Sequence, residues 1–322
     1  MSRLKTKTVP LFGSSSKRDS GPGAVDVVRD GETANSVWSN DIPAGIDLHS
    51  HTTASDGLLV PADLVLRASQ RGLSVLGVTD HDTIDGIAEA QLAAATFGVT
   101  VVAGVELSTS IDGKDVHILG YFVDPSDQQF VARLNQLADG RKRRILMMVE
   151  RLNALGHRIE IEPILERATA GSIGRPHVAR ALVASGMAAN VGEAFDRFLK
   201  PGKPGWVERE QFTSEDAIRL ILANGAIPVL AHPYSSGDVE AILGRLVPAG
   251  LQGLEVFYGE YTPTQKTDLH ELAVGWDLIP TGGSDFHGSR CKEGREGREL
   301  GSSPVPVSAY ARLAALHGVS VR

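Results

Sequence analysis

The sequence predicts an α/β fold of the barrel type, in which parallel strands alternate with helices. Three observations lead there. Short apolar runs bounded by turn residues recur along the chain, the mark of buried strands, and helical patterns separate them. Most of these runs end in histidine, aspartate or glutamate, and in a β/α barrel the segments after the strand C-termini converge on one face. At 322 residues and 42% hydrophobic content, one barrel with an insertion is more natural than two equal domains.

The elements follow in order. Residues 1–44 hold Ser14-Ser15-Ser16, Gly21-Pro22-Gly23 and scattered charge without period. They predict a disordered tail with no catalytic role; a recruitment segment or a start codon set too far upstream are the alternatives. The barrel is expected over 45–124 and 213–322, with a mostly helical insertion over 125–212. Its first run leads into Asp47-Leu48-His49-Ser50-His51-Thr52, followed by Asp56. Residues two apart face the same side of a strand, so a strand end aims both imidazoles at one point. Imidazole is the commonest metal ligand, although the pair alone reads equally as surface histidines. Pro61 suits a first helical turn and Gly72 a helix end. Val75–Val78 then leads into Thr79-Asp80-His81-Asp82, where Asp82 or Thr83 would cap a helix ending before Gly98.

Val101–Val105 leads into Glu106, and the run from Val116 to Tyr121 carries His117 near its start. Within the insertion a long helix is expected from Ser126 to Leu155, stopped by Gly156, with shorter ones over 161–170, 176–185 and 191–199. The barrel resumes with a helix over 214–223 and the run Ile227–Ala231, which leads into His232-Pro233. Gly253–Phe257 ends without an obvious ligand. A helix over 262–274 precedes Leu278–Gly283, which leads into Ser284-Asp285-Phe286-His287. A barrel would bring His49, His51, Asp56, His81, Glu106, His117, His232, Asp285 and His287 together. Asp47 and Asp80 adjoin ligand-type histidines and are expected to orient an imidazole through its other ring nitrogen. Asp82 would do the same or cap its helix, and Ser284 would shape its turn.

The insertion carries a second signal, Gly174-Arg175-Pro176-His177, at an expected helix start. Free backbone N–H groups and the dipole favour an anion there, and arginine adds a planar donor fork suited to phosphate. An ordinary helix start with a solvated arginine is the plain alternative. Arg141-Lys142-Arg143-Arg144 falls on the long helix, where four consecutive residues spread around the axis and most face solvent. Trp206 and Tyr234 suit either base stacking or ordinary packing. His157, His270 and His317 lie outside every motif.

A net charge of −7 argues against a generally basic nucleic-acid surface. It leaves a phosphate substrate open, because bound cations reverse the local charge. The single cysteine, Cys291, precludes an intrachain disulfide and is read as incidental, which makes a reducing cytoplasm the simplest compartment. No apolar run approaches the ~18 residues of a membrane span, and no secretory signal is evident.

Six motifs in order, DLHSHTTASDG, GVTDHDT, GVELS, DVHILGY, AHP and GSDFH, resemble the polymerase and histidinol phosphatase (PHP) family of metal-dependent phosphoesterases. The resemblance implies a distorted (β/α)7 TIM-like barrel with a helical cap and a trinuclear metal centre. Glu106 would bridge two metals, completed by His49, His51, His117, His232 and Asp285. Asp56, His81 and His287 would hold the third. His81, His287 and Glu106 would act in catalysis through the bound metals and the water they activate. Oxygen and nitrogen donors without thiolate suit manganese first, with magnesium, iron and zinc as alternatives.

GRPH and the stretch Pro201–Val207 resemble the branch that holds nucleoside 3′,5′-bisphosphate phosphatases and 5′-to-3′ exoribonucleases. That branch implies a nucleoside 3′,5′-bisphosphate losing its 3′-phosphate, or short single-stranded RNA trimmed from a phosphorylated 5′ end. Arg175 and His177, with Arg141 or Arg144, would hold the 5′-phosphate. No membrane or obligate protein partner is expected. Histidinol-phosphate phosphatase, an amidohydrolase-type deaminase and a non-catalytic PHP scaffold are the competing readings.

Overall fold

The computed structural model describes residues 45–167, 173–208, 212–288, 291–292, 295–296 and 298–319, which fall within one compact unit. The expected N-terminal tail lies outside the described residues. Seven strands form one sheet in chain order. They are β1 (Ile46–Asp47), β2 (Val75–Val78), β3 (Thr100–Ile111), β4 (Lys114–Tyr121), β5 (Ile227–Leu230), β6 (Gly253–Tyr258) and β7 (Ile279–Gly283).

The last strand returns to the first. Leu48 N donates to Gly282 O at 3.2 Å, and Asp285 N donates to His49 O at 2.8 Å, so the sheet nearly closes into a barrel. Glycine permits this approach: a Cβ on Gly283 would lie 2.4 Å from His49 N, and one on Gly282 would lie 2.4 Å from Phe257 O.

The strands are not uniformly parallel, as the sequence reading had them. β3 and β4 form an antiparallel hairpin, and β4 pairs antiparallel with β5. The cause is local. Asp112 and Gly113 both take positive φ, 49° and 78°, which is the signature of a tight two-residue hairpin turn. Reversing β4 puts its first residues at the end of the barrel where the other strands finish. That is why His117 stands near the start of its run rather than after it.

Helices cover the sheet. α1 (Pro61–Gln70) and α2 (Ile87–Phe97) pack on β2 through Leu64, Val65, Ala68, Leu76, Val78 and Ala90. α2 starts after Gly86, not at an Asp82 or Thr83 cap. Asp82 is buried at φ 52° and accepts the Ser108 N–H at 2.8 Å instead. The insertion begins with α3 (Gln128–Ala154), whose N-terminus is capped by the Asp127 carboxylate. α4 (Glu162–Arg167), α5 (Arg175–Ala184) and α6 (Val191–Ala194) follow, and α6 runs into a π-helical turn over Phe195–Leu199. Helix α4 was expected to reach residue 170; 168–172 lie outside the described residues.

The inserted helices have a core of their own. Ile145, Met148, Val149 and Leu152 recur at helical spacing along α3 and pack with Ile164, Val178, Leu182 and Phe198. α7 (Ser214–Ala223), α8 (Val239–Leu246), α9 (Pro263–Gly275) and α10 (Val307–His317) complete the barrel, with a short hairpin of β8 (Cys291–Lys292) and β9 (Arg295–Glu296). Among the described residues no helix is long and apolar enough to cross a membrane.

Gly283→Ala tests the closure. The added methyl meets the His49 backbone, so unfolding in urea should show a loss of about 1–3 kcal/mol, the usual cost of overpacking.

Candidate metal centre

All nine residues expected as ligands meet at one end of the barrel. Glu106 sits among them, 1% exposed. Its Oε2 lies 3.2 Å from His49 Nε2, His51 Nε2 and His81 Nδ1. Its Oε1 lies 2.7 Å from His117 Nδ1 and 2.9 Å from His232 Nε2. Burial pushes this carboxyl up, but His81, His117 and His49 outweigh it and hold it well below the usual carboxylate range. Asp285 behaves alike: burial raises it, while Arg298, His287 and His49 bring it well below.

Candidate ligand atoms converge in three sets, each within 4.8 Å: His51, Asp56, His81 and His287; His49, His51, Glu106 and Asp285; His81, Glu106 and His117. His232 reaches the same Glu106 carboxylate from the far side. Both ring nitrogens of His51, His81 Nδ1 and Asp56 Oδ1 are buried and make no hydrogen bond of acceptable geometry. Stranding so many buried polar atoms costs roughly 1–3 kcal/mol each unless something else satisfies them. Divalent cations would, and the nitrogen and oxygen donors present fit them.

The rings are held from behind. His49 Nδ1 lies 2.9 Å from Glu255 Oε1, and the other Glu255 oxygen accepts the His232 N–H at 2.6 Å. His232 Nδ1 is 2.7 Å from Ser235 Oγ, and His287 Nδ1 is 2.9 Å from the Asp285 carbonyl oxygen. A proton on the nitrogen tied outward would leave the other lone pair of each ring facing the centre. Tyr258 Oη donates to Asp285 Oδ2 at 2.9 Å, and Arg298 Nη1 lies 2.9 Å from the same oxygen.

Asp47 and Asp80 do not orient imidazoles. Asp47 accepts the backbone N–H groups of His49, Ser284 and Gly301, which ties β1 to the segment after β7. Asp80 accepts from Thr52 N, Thr52 Oγ1 and Ser55 Oγ, and so shapes the turn that presents Asp56.

Glu255, Arg298 and Tyr258 were missed in the sequence. A glutamate inside the fully buried run of β6 was a readable signal, since a carboxylate there must be paired. Arg298 and Tyr258 gave none.

A cleft of about 140 Å³ opens on the centre. Asp56, His81 and His117 of the barrel line it together with Arg141, Arg144, Arg175 and Phe195 of the inserted helices. Arg141 pairs with Asp82 and donates to Ser108 Oγ. Arg175 Nη2 donates to Asp115 Oδ2 at 2.8 Å, and its guanidinium lies over the rings of Trp206 and Phe195, 5.4 and 5.6 Å from their centroids. Arg144 lies over Trp206 at 4.8 Å. Trp206 therefore supports the arginines rather than standing open to a base. His177 does not line this cleft. Its Nδ1 accepts the Gly174 N–H at 3.2 Å, which caps the helix that presents Arg175. Its ring borders a separate cavity of about 300 Å³ with Ile159, Ile164 and Arg180. Arg180, not singled out in the sequence, donates to the Asp56 carbonyl oxygen at 2.9 Å.

Comparisons with known proteins give the family. Residues 47–166 match the PHP domain. The chain is 36% identical over 266 residues to a 3′,5′-nucleoside bisphosphate phosphatase of Chromobacterium violaceum, covering 80% of this chain and 91% of that protein. It is 37% identical over 248 residues to a 5′-3′ exoribonuclease of Haemophilus influenzae, covering 75% and 89%. A solved structure from Bifidobacterium adolescentis, assigned as a metal-dependent phosphoesterase, superposes with a TM-score of 0.77 at 29% identity, covering 88% of this chain and 99% of that one.

Glu255→Gln keeps the shape and removes the charge behind His49. Metal affinity, measured by titration of metal-stripped protein, should fall about 10- to 100-fold, the usual effect of losing such a partner.

Proposed function

The chain belongs to the PHP-domain family, and on that footing we propose that it is a metal-dependent phosphoesterase that removes the 3′-phosphate of nucleoside 3′,5′-bisphosphates and trims short 5′-phosphorylated RNA from its 5′ end. The observation that carries this reading is one cleft lined both by candidate metal ligands of the barrel and by three arginines of the inserted helices. A substrate with two phosphates satisfies both sets at once. The relatives named for these two activities support the same substrates.

His49, His51, Asp56, His81, Glu106, His117, His232, Asp285 and His287 would hold the divalent metals, three of them in this reading and manganese first. Glu106, with histidines converging on both oxygens, would be the central carboxylate among the residues that hold them. When bound, the metals supply Lewis-acid charge and an activated water. The chain's own groups do the rest. Arg175 takes the 5′-phosphate, which replaces the Asp115 carboxylate as its partner. Arg141 and Arg144 add positive charge along the cleft and, with the metals, neutralise the phosphoryl oxygens as charge spreads over them. His81 lines the cleft, whereas His287 is turned toward Asp56 and the Asp285 carbonyl oxygen. The leaving oxygen would therefore meet His81 rather than His287. His177 serves the 5′-phosphate indirectly, by fixing the helix end that bears Arg175.

With manganese present, the protein should release phosphate from adenosine 3′,5′-bisphosphate and leave histidinol phosphate intact; turnover of histidinol phosphate alone would overturn the assignment. Removing metal with a chelator should abolish the activity, and elemental analysis should find the metal in active protein. Arg175→Ala should raise KM for the bisphosphate about tenfold or more, as loss of a charged hydrogen bond does. KM for a simple aryl phosphate, which lacks the second phosphate, should move far less.

A further inference from the structure

We propose that Tyr234, braced by Tyr261, is the stacking platform for the second nucleobase of a 5′-phosphorylated RNA. This inference rests on the reading of the site given above and assigns a place to the part of the substrate beyond the reacting phosphate.

Position is the first argument. Tyr234 follows His232 by two residues, and His232 Nε2 is 2.9 Å from Glu106. Two residues span at most about 7 Å, so the tyrosine backbone stands next to the metal centre. A file of aromatic rings leads outward from there. His232 and Tyr258 are 5.8 Å apart, Tyr258 and Tyr261 4.9 Å, and Tyr261 and Tyr234 5.1 Å. Tyr261 Oη accepts the Tyr234 N–H at 3.1 Å, which fixes the outermost residue. Tyr234 is 36% exposed, whereas Tyr258 is 6% exposed.

Direction is the second argument. The inserted helices meet the barrel rim at Asp56, Asp82, Ser108 and Asp115, all in the β1–β4 half. Tyr234 and Tyr261 follow β5 and β6, on the other half. An RNA with its 5′-phosphate at Arg175 and its first internucleotide phosphate at the metals continues away from the inserted helices, toward the tyrosines. Trp206, the other candidate platform, is already engaged by Arg144 and Arg175.

The chemistry separates the two substrates. In both, the water oxygen bonds to phosphorus, the bond from phosphorus to the 3′-oxygen of the first nucleotide breaks, and that oxygen takes a proton. In RNA the phosphate stays on the 5′-oxygen of the second nucleotide, whose base needs a seat. In a bisphosphate there is no second base. Aromatic side chains accept any base on their π face.

The experiment compares kcat/KM for a 5′-phosphorylated dinucleotide with kcat/KM for the matching nucleoside 3′,5′-bisphosphate, in the wild type, Tyr234→Ala and Tyr234→Phe. The ratio of dinucleotide to bisphosphate should fall about tenfold in Tyr234→Ala, the smaller end of what one base–aromatic stack contributes. Tyr234→Phe keeps the π face and should keep the ratio. An unchanged ratio in Tyr234→Ala overturns the platform, as does a Tyr234→Phe ratio as low as that of Tyr234→Ala. A wild type that hydrolyses the bisphosphate but not the dinucleotide also overturns it, and leaves the phosphatase activity standing. A wild type that hydrolyses neither overturns the function itself.

Discussion

Glu106 is the constraint on which the rest of the molecule depends. A carboxylate buried this deeply is costly unless paired, and here imidazoles from the segments after β1, β2 and β5 and from β4 crowd both its oxygens. Each of those histidines is polar and mostly buried as well. The cluster calls for something that satisfies its members as a set, which cations held among them would do. The strands around it can be read as the frame that holds these groups at ligand distance, and the glycines of β7 as the means of drawing β1 close enough.

That demand explains the departure from a regular β/α barrel. A parallel β4 would put Tyr121, not His117, at the catalytic end. The Asp112-Gly113 turn reverses the strand and delivers His117 to the Glu106 carboxylate. The pair Asp112-Gly113 is a hairpin signal that the sequence reading passed over, because the apolar runs on either side look the same whichever way a strand points. Hydrophobic pattern reports burial; direction has to come from the turn chemistry.

The ligand residues themselves were legible because each interrupts or ends an apolar run with a group that has no reason to be buried alone. Glu255 followed the same rule, but it sits in mid-strand, where no turn drew attention to it. Arg298, Arg180 and Tyr258 depend on which segments meet in three dimensions, and nothing local announces that. Asp47 and Asp80 were misread for a related reason. Their place beside ligand-type histidines suggested contact with the rings, but Asp47 turns to the backbone N–H groups of His49, Ser284 and Gly301, and Asp80, beyond the end of β2, turns to Thr52 and Ser55. In the insertion, the helical spacing of Ile145, Met148 and Leu152 was clear, whereas the ring of His177 turned inward to the Gly174 N–H of its own helix start.

The contact between the first and last strands bears on how the protein is made. His49 and His51 leave the ribosome early, and Asp285 and His287 late. A nascent chain holding only the first of these would have half of the proposed coordination shell and no closed wall behind it. Metal binding free energy adds to folding free energy only once the complete shell exists. On the proposed assignment the ion would act as a checkpoint on synthesis: truncated or misclosed chains would forgo that stabilisation, and a finished chain would lock when its final strand reaches its first.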